Sequence, residues 1–146
     1  FALKPVCAEL TYGLERIAMY LQDKDSFWDL LWTKNITYAD LHLESERQWS
    51  IYNFEVADIQ MLQDVFNKFE KEFSNALNKG LVYVACEYVL KCSHIFNLLD
   101  AREAISVSER TSYITRVRNI AKALCTAYIN QREQLGFPLL KKGKHV

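Results

Sequence analysis

The sequence predicts a mainly helical protein, with one short strand at the start followed by a bundle of about four main helices. Three observations predict it. Between residues 54 and 79, Met61, Leu62, Val65, Phe66, Phe69, Phe73, Ala76 and Leu77 recur at helical spacing. Two further long segments, 81–100 and 108–135, are apolar-patterned and bounded by Gly80 and Gly136. Period-two alternation is confined to the first dozen residues, where Val6, Ala8, Leu10 and Tyr12 alternate with Cys7, Glu9 and Thr11.

Each element follows from its own residues. Gly13 breaks the strand, and Leu14, Ile17, Ala18 and Leu21 then fall at i, i+3, i+4, i+7, so a helix runs to about Asp23. Asp25-Ser26 caps a short helical turn carrying Phe27, Leu30 and Leu31, and Lys34-Asn35 is turn chemistry. Thr37 with Asp40 three residues on opens the next helix in a capping-box arrangement, through Leu41, Glu44, Glu46, Arg47 and Trp49 to about Tyr52. The long helix over 54–79 stops at Asn78-Lys79-Gly80, where Gly80 is free to turn left-handed. Residues 81–100 are apolar on most sides, the mark of a helix buried in a bundle. Ser106 or Ser108 caps the last long helix, with Glu109 in its first turn. Its stripe is Tyr113, Val117, Ile120, Leu124 and Tyr128; Gly136 ends it and Pro138 prevents resumption. The tail Lys141–His145 is expected to be mobile.

The 146 residues suffice for one or two small domains with a core of their own. No basic start precedes an apolar run, and no stretch reaches 18 consecutive apolar residues, so neither a signal peptide nor a membrane span is expected in these residues. Cys7, Cys86, Cys92 and Cys125 form no C-x-x-C pair and read as buried free thiols of a reducing compartment. His42, His94 and His145 are too scattered for zinc. Charge is uneven. Residues 1–105 carry 10 Lys/Arg against 16 Asp/Glu, and residues 106–146 carry 8 against 2. The basic end suits an anionic partner such as RNA, with Arg116, Arg118, Lys122 and Arg132 as phosphate-facing candidates on charge alone; a solvated helix face fits equally well.

The segment most suited to chemistry is Glu9-Leu10-Thr11-Tyr12-Gly13-Leu14-Glu15-Arg16. It runs strand, glycine, helix. Gly13 removes a side chain where a backbone must approach a ligand, and the helix start offers unpaired N–H groups at the positive end of its dipole. Arg16 is planar and always charged, able to stack on a ring and to contact phosphate. Glu9 and Thr11 share one strand face, so a carboxylate and a hydroxyl point at one pocket and can hold an ammonium group. Other residues have blander readings. His94 reads as a hydrogen-bonded core histidine, and Trp28, Trp32 and Trp49 as core packing. Glu44, Glu46 and Glu55 fit an exposed helix face, and Asp100, Arg102 and Arg110 a structural charge network around one turn.

The string ELTYGLERIAMYLQ resembles motif 3 of class II aminoacyl-tRNA synthetases in its Gly-Leu-Glu-Arg form. Further strings in order are Tyr52-Asn53-Phe54-Glu55 with Ala57-Asp58, His94 to Arg102, Ala104 to Val107 with Glu109-Arg110, and Arg132 to Pro138. Together they resemble the bacterial glycyl-tRNA synthetase alpha-subunit family over essentially the whole chain. The resemblance implies a fold: the C-terminal edge of a class II antiparallel α/β catalytic domain over residues 1–22, then a helical domain over 23–146. It implies ATP-dependent activation of glycine to glycyl-adenylate and transfer to tRNA(Gly). Arg16 then matches the catalytic, ATP-binding arginine, Gly13 the glycine that admits the nucleotide, and Glu9 and Thr11 the glycine-binding positions. The implied partners are glycine, tRNA(Gly), a beta subunit and a second alpha subunit within an α2β2 tetramer in the cytoplasm. Magnesium is expected with ATP, with no ligand located in this segment. Motifs 1 and 2 are absent from these residues, so the segment alone is expected to be inactive. A non-catalytic helical RNA- or protein-binding module, and another class II synthetase-like enzyme, stay open as alternatives.

Overall fold

The computed structural model describes residues 6–142, with side chains placed to Leu140. It is mainly helical, as the sequence predicts. The chain runs through α1 (Leu14–Gln22), a 3-10 turn (Phe27–Asp29), β1 (Leu31–Thr33), β2 (Ile36–Thr37) and α2 (Tyr38–Ile51). After a π turn (Tyr52–Val56) it continues through α3 (Ile59–Asn78), α4 (Val82–Ala101), α5 (Val107–Gln134) and α6 (Pro138–Lys142). It divides into two compact units, one ending at Tyr52 and the other starting at Asn53.

In the first unit, α1 begins at Gly13 and ends where Asp23 turns left-handed at φ 52°, its N–H bonding the Met19 carbonyl. Ser26 caps the 3-10 turn by accepting from the Trp28 N–H. β1 and β2 form an antiparallel hairpin pairing Leu31 with Thr37 and Thr33 with Ile36, with Lys34-Asn35 as its two-residue turn. Of the strand expected over the first dozen residues, the described part is not formed. Residues 6–13 carry no regular structure, because a strand needs a neighbour to accept its ladder and no described strand lies beside them. The sheet sits instead at 31–37, where Leu31, Trp32, Thr33, Ile36 and Thr37 are β-favouring residues in a run too short to show period-two alternation. No strand follows residue 40 among the described residues. Thr37 and Asp40 make the capping box at the start of α2, each side chain serving the other's backbone N–H.

The second unit holds the core. Leu62, Phe66, Phe73 and Ala76 of α3 are buried, with Phe69 half-buried between them, and they share one cluster with Ala85, Val89, Cys92, Ile95 and Leu99 of α4. Both sets repeat in steps of three or four residues, the spacing of one face of a helix. Tyr113 and Ile120 of α5 complete the cluster; the Phe66 and Tyr113 rings meet edge to face at 4.7 Å. α3 starts later than the expected residue 54. Asp58 stands outside the apolar stripe because it is the cap, accepting from the Met61 N–H at 2.6 Å. α3, α4 and α5 end alike. The N–H of Leu81, Ala104 and Phe137 reaches back to the carbonyl of Ala76, Leu99 and Arg132, while a left-handed residue (Gly80, Glu103 or Gly136) makes the inner bond. Ser106, not Ser108, caps α5, in a second capping box with Glu109.

Several expectations need correction. α4 is buried along one face only: Tyr83, Val84, Leu90 and His94 are exposed, so His94 is not a core histidine. Trp32 and Trp49 are 62 % and 60 % exposed and Trp28 is half-buried, so no tryptophan is core packing. Of the four cysteines Cys92 alone is buried; Cys86 is intermediate, and Cys7 and Cys125 are exposed. Pro138 opens α6 instead of preventing helix, since its fixed φ and missing N–H suit a first helical position. The tail's mobility concerns residues that lie mostly outside those described. No helix among the described residues is long and apolar enough to cross a membrane.

Candidate functional site

The site is the chain entry into α1. Residues 6–13 lead to it in the open, and Glu9, Thr11, Gly13 and Arg16 are all exposed. Glu9 and Thr11 do come together: the Thr11 hydroxyl donates to Glu9 Oε1 at 2.7 Å. That bond steadies one carboxylate oxygen and leaves the other, with the hydroxyl's lone pairs, to accept from a ligand. A carboxylate held this way suits an ammonium group, which donates and carries the opposite charge.

Gly13 has φ 75° and ψ 141°, a backbone that L side chains rarely adopt. The space is not the constraint, since an added Cβ would meet Glu15 Oε2 at an ordinary 3.5 Å. The dihedral is, and it demands glycine. With no side chain capping α1, its first-turn N–H groups face outward. Arg16 stands in that first turn and makes no hydrogen bond or ion pair with the described residues. An open helix start beside an uncommitted guanidinium is suited to phosphate.

Two contacts behind this entry have no signal in the sequence. The Tyr38 hydroxyl donates to Glu15 Oε1 at 3.2 Å. Burial against its aromatic neighbours holds the Tyr38 hydroxyl above its usual pKa range, and the Glu15 bond and the charges of Glu15 and Glu46 add to the effect. At the far end of α1, the Gln22 carboxamide meets both polar groups of Leu31. Its oxygen accepts from the Leu31 N–H at 2.8 Å and its nitrogen donates to the Leu31 carbonyl at 3.1 Å. These pairs lie 23 and 9 residues apart in sequence, beyond the reach of local patterning.

The basic candidates of α5 are not brought to one face. Arg116 turns into the helical unit: its guanidinium contacts both Glu70 oxygens, the closest at 2.6 Å, and Asn67 Oδ1 at 2.6 Å, and it lies over the Phe66 ring at 4.5 Å. Arg118 and Lys122 are exposed one helical turn apart. Arg132 is half-buried and lines a shallow hollow of about 290 Å³ with Tyr128, Ile129 and Phe137.

The expected turn network holds in part. Arg110 pairs with Asp100 at 2.9 Å. Arg102 bonds the Ala57 and Glu55 carbonyls instead, closing the end of the π turn. Glu44 pairs with Arg47 on the exposed face of α2, and that contact with the Gln48 bond lowers its pKa to about 2. No group of three or more His, Cys, Asp or Glu side chains among the described residues converges to hold a metal. Compared with known families, residues 1–133 match the model of the family described as glycyl-tRNA synthetase alpha subunit.

Proposed function

The chain belongs to the glycyl-tRNA synthetase alpha-subunit family, and from that premise we propose that it serves the ATP-dependent joining of glycine to tRNA(Gly) by class II chemistry. The match over residues 1–133 carries this reading. The entry into α1 supplies its chemistry. In the first step the glycine carboxylate attacks the α-phosphorus of ATP, forming glycyl-adenylate and releasing pyrophosphate. In the second, the terminal ribose hydroxyl of tRNA displaces AMP and takes the glycyl group.

The roles follow from charge and reach. Glu9, steadied by Thr11, receives the glycine ammonium; with no side chain to grip, recognition of glycine rests on its two charged ends. Gly13 lets the nucleotide approach the backbone. Arg16 stacks on the adenine and meets phosphate charge, which grows at the bridging oxygen as pyrophosphate leaves. Residues 1–22 are thus the end of the catalytic domain and 23–146 the helical domain, a division by role where compactness divides the chain after Tyr52. A beta subunit engages tRNA, within a cytoplasmic α2β2 assembly. The expected magnesium finds no converging set of ligands among the described residues, and no step here depends on one.

Pyrophosphate exchange tests the reading. Arg16→Ala in the assembled synthetase is expected to weaken exchange by on the order of 100-fold, the scale of a lost preorganised charge at a reacting phosphate. Exchange at the wild-type rate would make Arg16 a surface residue and remove the nucleotide from this site.

A further inference from the structure

We propose that Tyr38 and Gln22 are positioning residues for the nucleotide arginine, clamping one end of α1 to the start of α2 and the other to the hairpin; the proposal rests on the reading of Arg16 given above. α1 buries none of its nine residues fully, and only Ala18 and Met19 are half-buried. Apolar packing therefore does little to fix the rotation of α1 within this unit. Two polar contacts do it instead, one at each end.

The first acts through Glu15, the residue before Arg16. Tyr38 is itself held on several sides. It opens α2 directly after the Thr37–Asp40 capping box, and its N–H donates to the Leu30 carbonyl at 2.7 Å. Its ring is set among Phe27 and Trp28, each 5.9 Å away between centroids, and His42 at 4.4 Å. A hydroxyl carried on so fixed a ring holds Glu15, and with it the first turn of α1, in one rotational setting.

The second contact has the geometry of an added strand. Leu31 sits opposite Thr37 in the hairpin, and its own N–H and carbonyl both bond the Gln22 carboxamide. Only a primary amide offers a donor and an acceptor in one fork of that shape. A glutamate of equal length would set a carboxylate oxygen against the Leu31 carbonyl.

The separation of the two contacts makes the inference testable. Releasing either one turns Arg16 away from the nucleotide while leaving Glu9 and Thr11, upstream of α1, in place. The ATP constant should move and the glycine constant should not. In the assembled synthetase, Tyr38→Phe, which loses one hydrogen bond, and Gln22→Met, which loses two, are each expected to raise the KM for ATP in pyrophosphate exchange by at least about 3- to 10-fold, the scale of one lost hydrogen bond. Glu15→Leu should match Tyr38→Phe, the double variant should lose no more than either alone, and Glu15→Gln, which keeps the acceptor, should retain the wild-type ATP constant. Gln22→Glu should be worse than Gln22→Met. Additive losses in the double variant, or equal shifts in the glycine and ATP constants, would overturn the clamp as a positioning device. If Tyr38→Phe and Gln22→Met keep the wild-type ATP constant while Arg16→Ala is crippled, the clamp is wrong and the role of Arg16 stands. If Arg16→Ala is also normal, both fail together.

Discussion

Replacing Arg116 separates a structural arginine from an RNA contact. Its guanidinium joins α5 to α3 through Glu70 and Asn67, and the two charged side chains are 30 % and 29 % exposed. Arg116→Met keeps the aliphatic stem over Phe66 and removes the charge, leaving Glu70 without its partner. A charge-assisted contact of this kind contributes roughly 1.5–3 kcal/mol, and the cation over the Phe66 ring adds about 0.5–1 kcal/mol. Partial exposure screens both, so a loss of about 2 kcal/mol is expected. With a urea slope of about 1–1.5 kcal/mol/M for a unit of this size, the unfolding midpoint should fall by roughly 1.5 M. Far-UV circular dichroism follows this unit well, because its described residues are mainly helical. Adding Glu70→Met to Arg116→Met should recover part of the loss, since it removes the orphaned charge. A wild-type midpoint combined with weaker RNA binding would refute this reasoning and make Arg116 a phosphate ligand.

Four further outcomes are expected. Burial raises the Cys92 thiol to about 11, with the Glu70 charge adding and Arg116 opposing. An unfolded thiol ionises near pH 8.5, so the unfolded chain sheds this proton first. The thiol's contribution, roughly 3 kcal/mol at most, is therefore complete below about pH 8.5 and lost as pH rises toward 11; Cys92→Ala should flatten that slope in urea titrations at pH 8 to 11. Asp58→Ala should destabilise the helical unit by about 1 kcal/mol by removing the α3 cap, and an unchanged melt would show that water replaces it. Glu103 holds the left-handed position that glycine holds after α3 and α5, so Glu103→Gly should gain about 0.5 kcal/mol, against a loss if strain there is negligible. Ser106 contacts hold Glu109 below its usual pKa, so the support that Glu109 gives the start of α5 is present above its unfolded pKa and fades as pH falls through the folded one; Glu109→Gln should blunt that acid sensitivity in thermal melts.

The helical frame was legible because its signals are local. Apolar stripes, the Thr37–Asp40 box and the Gly80 and Gly136 stops lie within one or two turns of what they specify. The hairpin was missed because two strands of three and two residues are shorter than any periodicity. Burial was the weaker inference. An apolar helix such as α4 can still hide a single face, and residue type alone does not show that Trp32 and Trp49 stand exposed. At the candidate site, Glu9 and Thr11 were readable from strand alternation, and their hydrogen bond forms without a strand around it. Tyr38 and Gln22 were not readable, because both bonds depend on how the chain folds back. Arg116 was misleading for the opposite reason: charge counts cannot see that Glu70, 46 residues earlier, takes it.

Glu9, held by Thr11, is proposed to recognise the glycine ammonium beside an ATP site at Gly13 and Arg16. Glu9→Gln in the assembled synthetase tests it most directly, by pyrophosphate exchange at varied glycine and varied ATP. The amide keeps the shape and loses the charge, so a charge-assisted bond of roughly 1.5–3 kcal/mol is weakened. The KM for glycine should rise about 10- to 100-fold at 1.4 kcal/mol per decade, with the ATP constant moving much less. Constants that shift together, or a glycine constant that stays where it was, would contradict the assignment of this pocket.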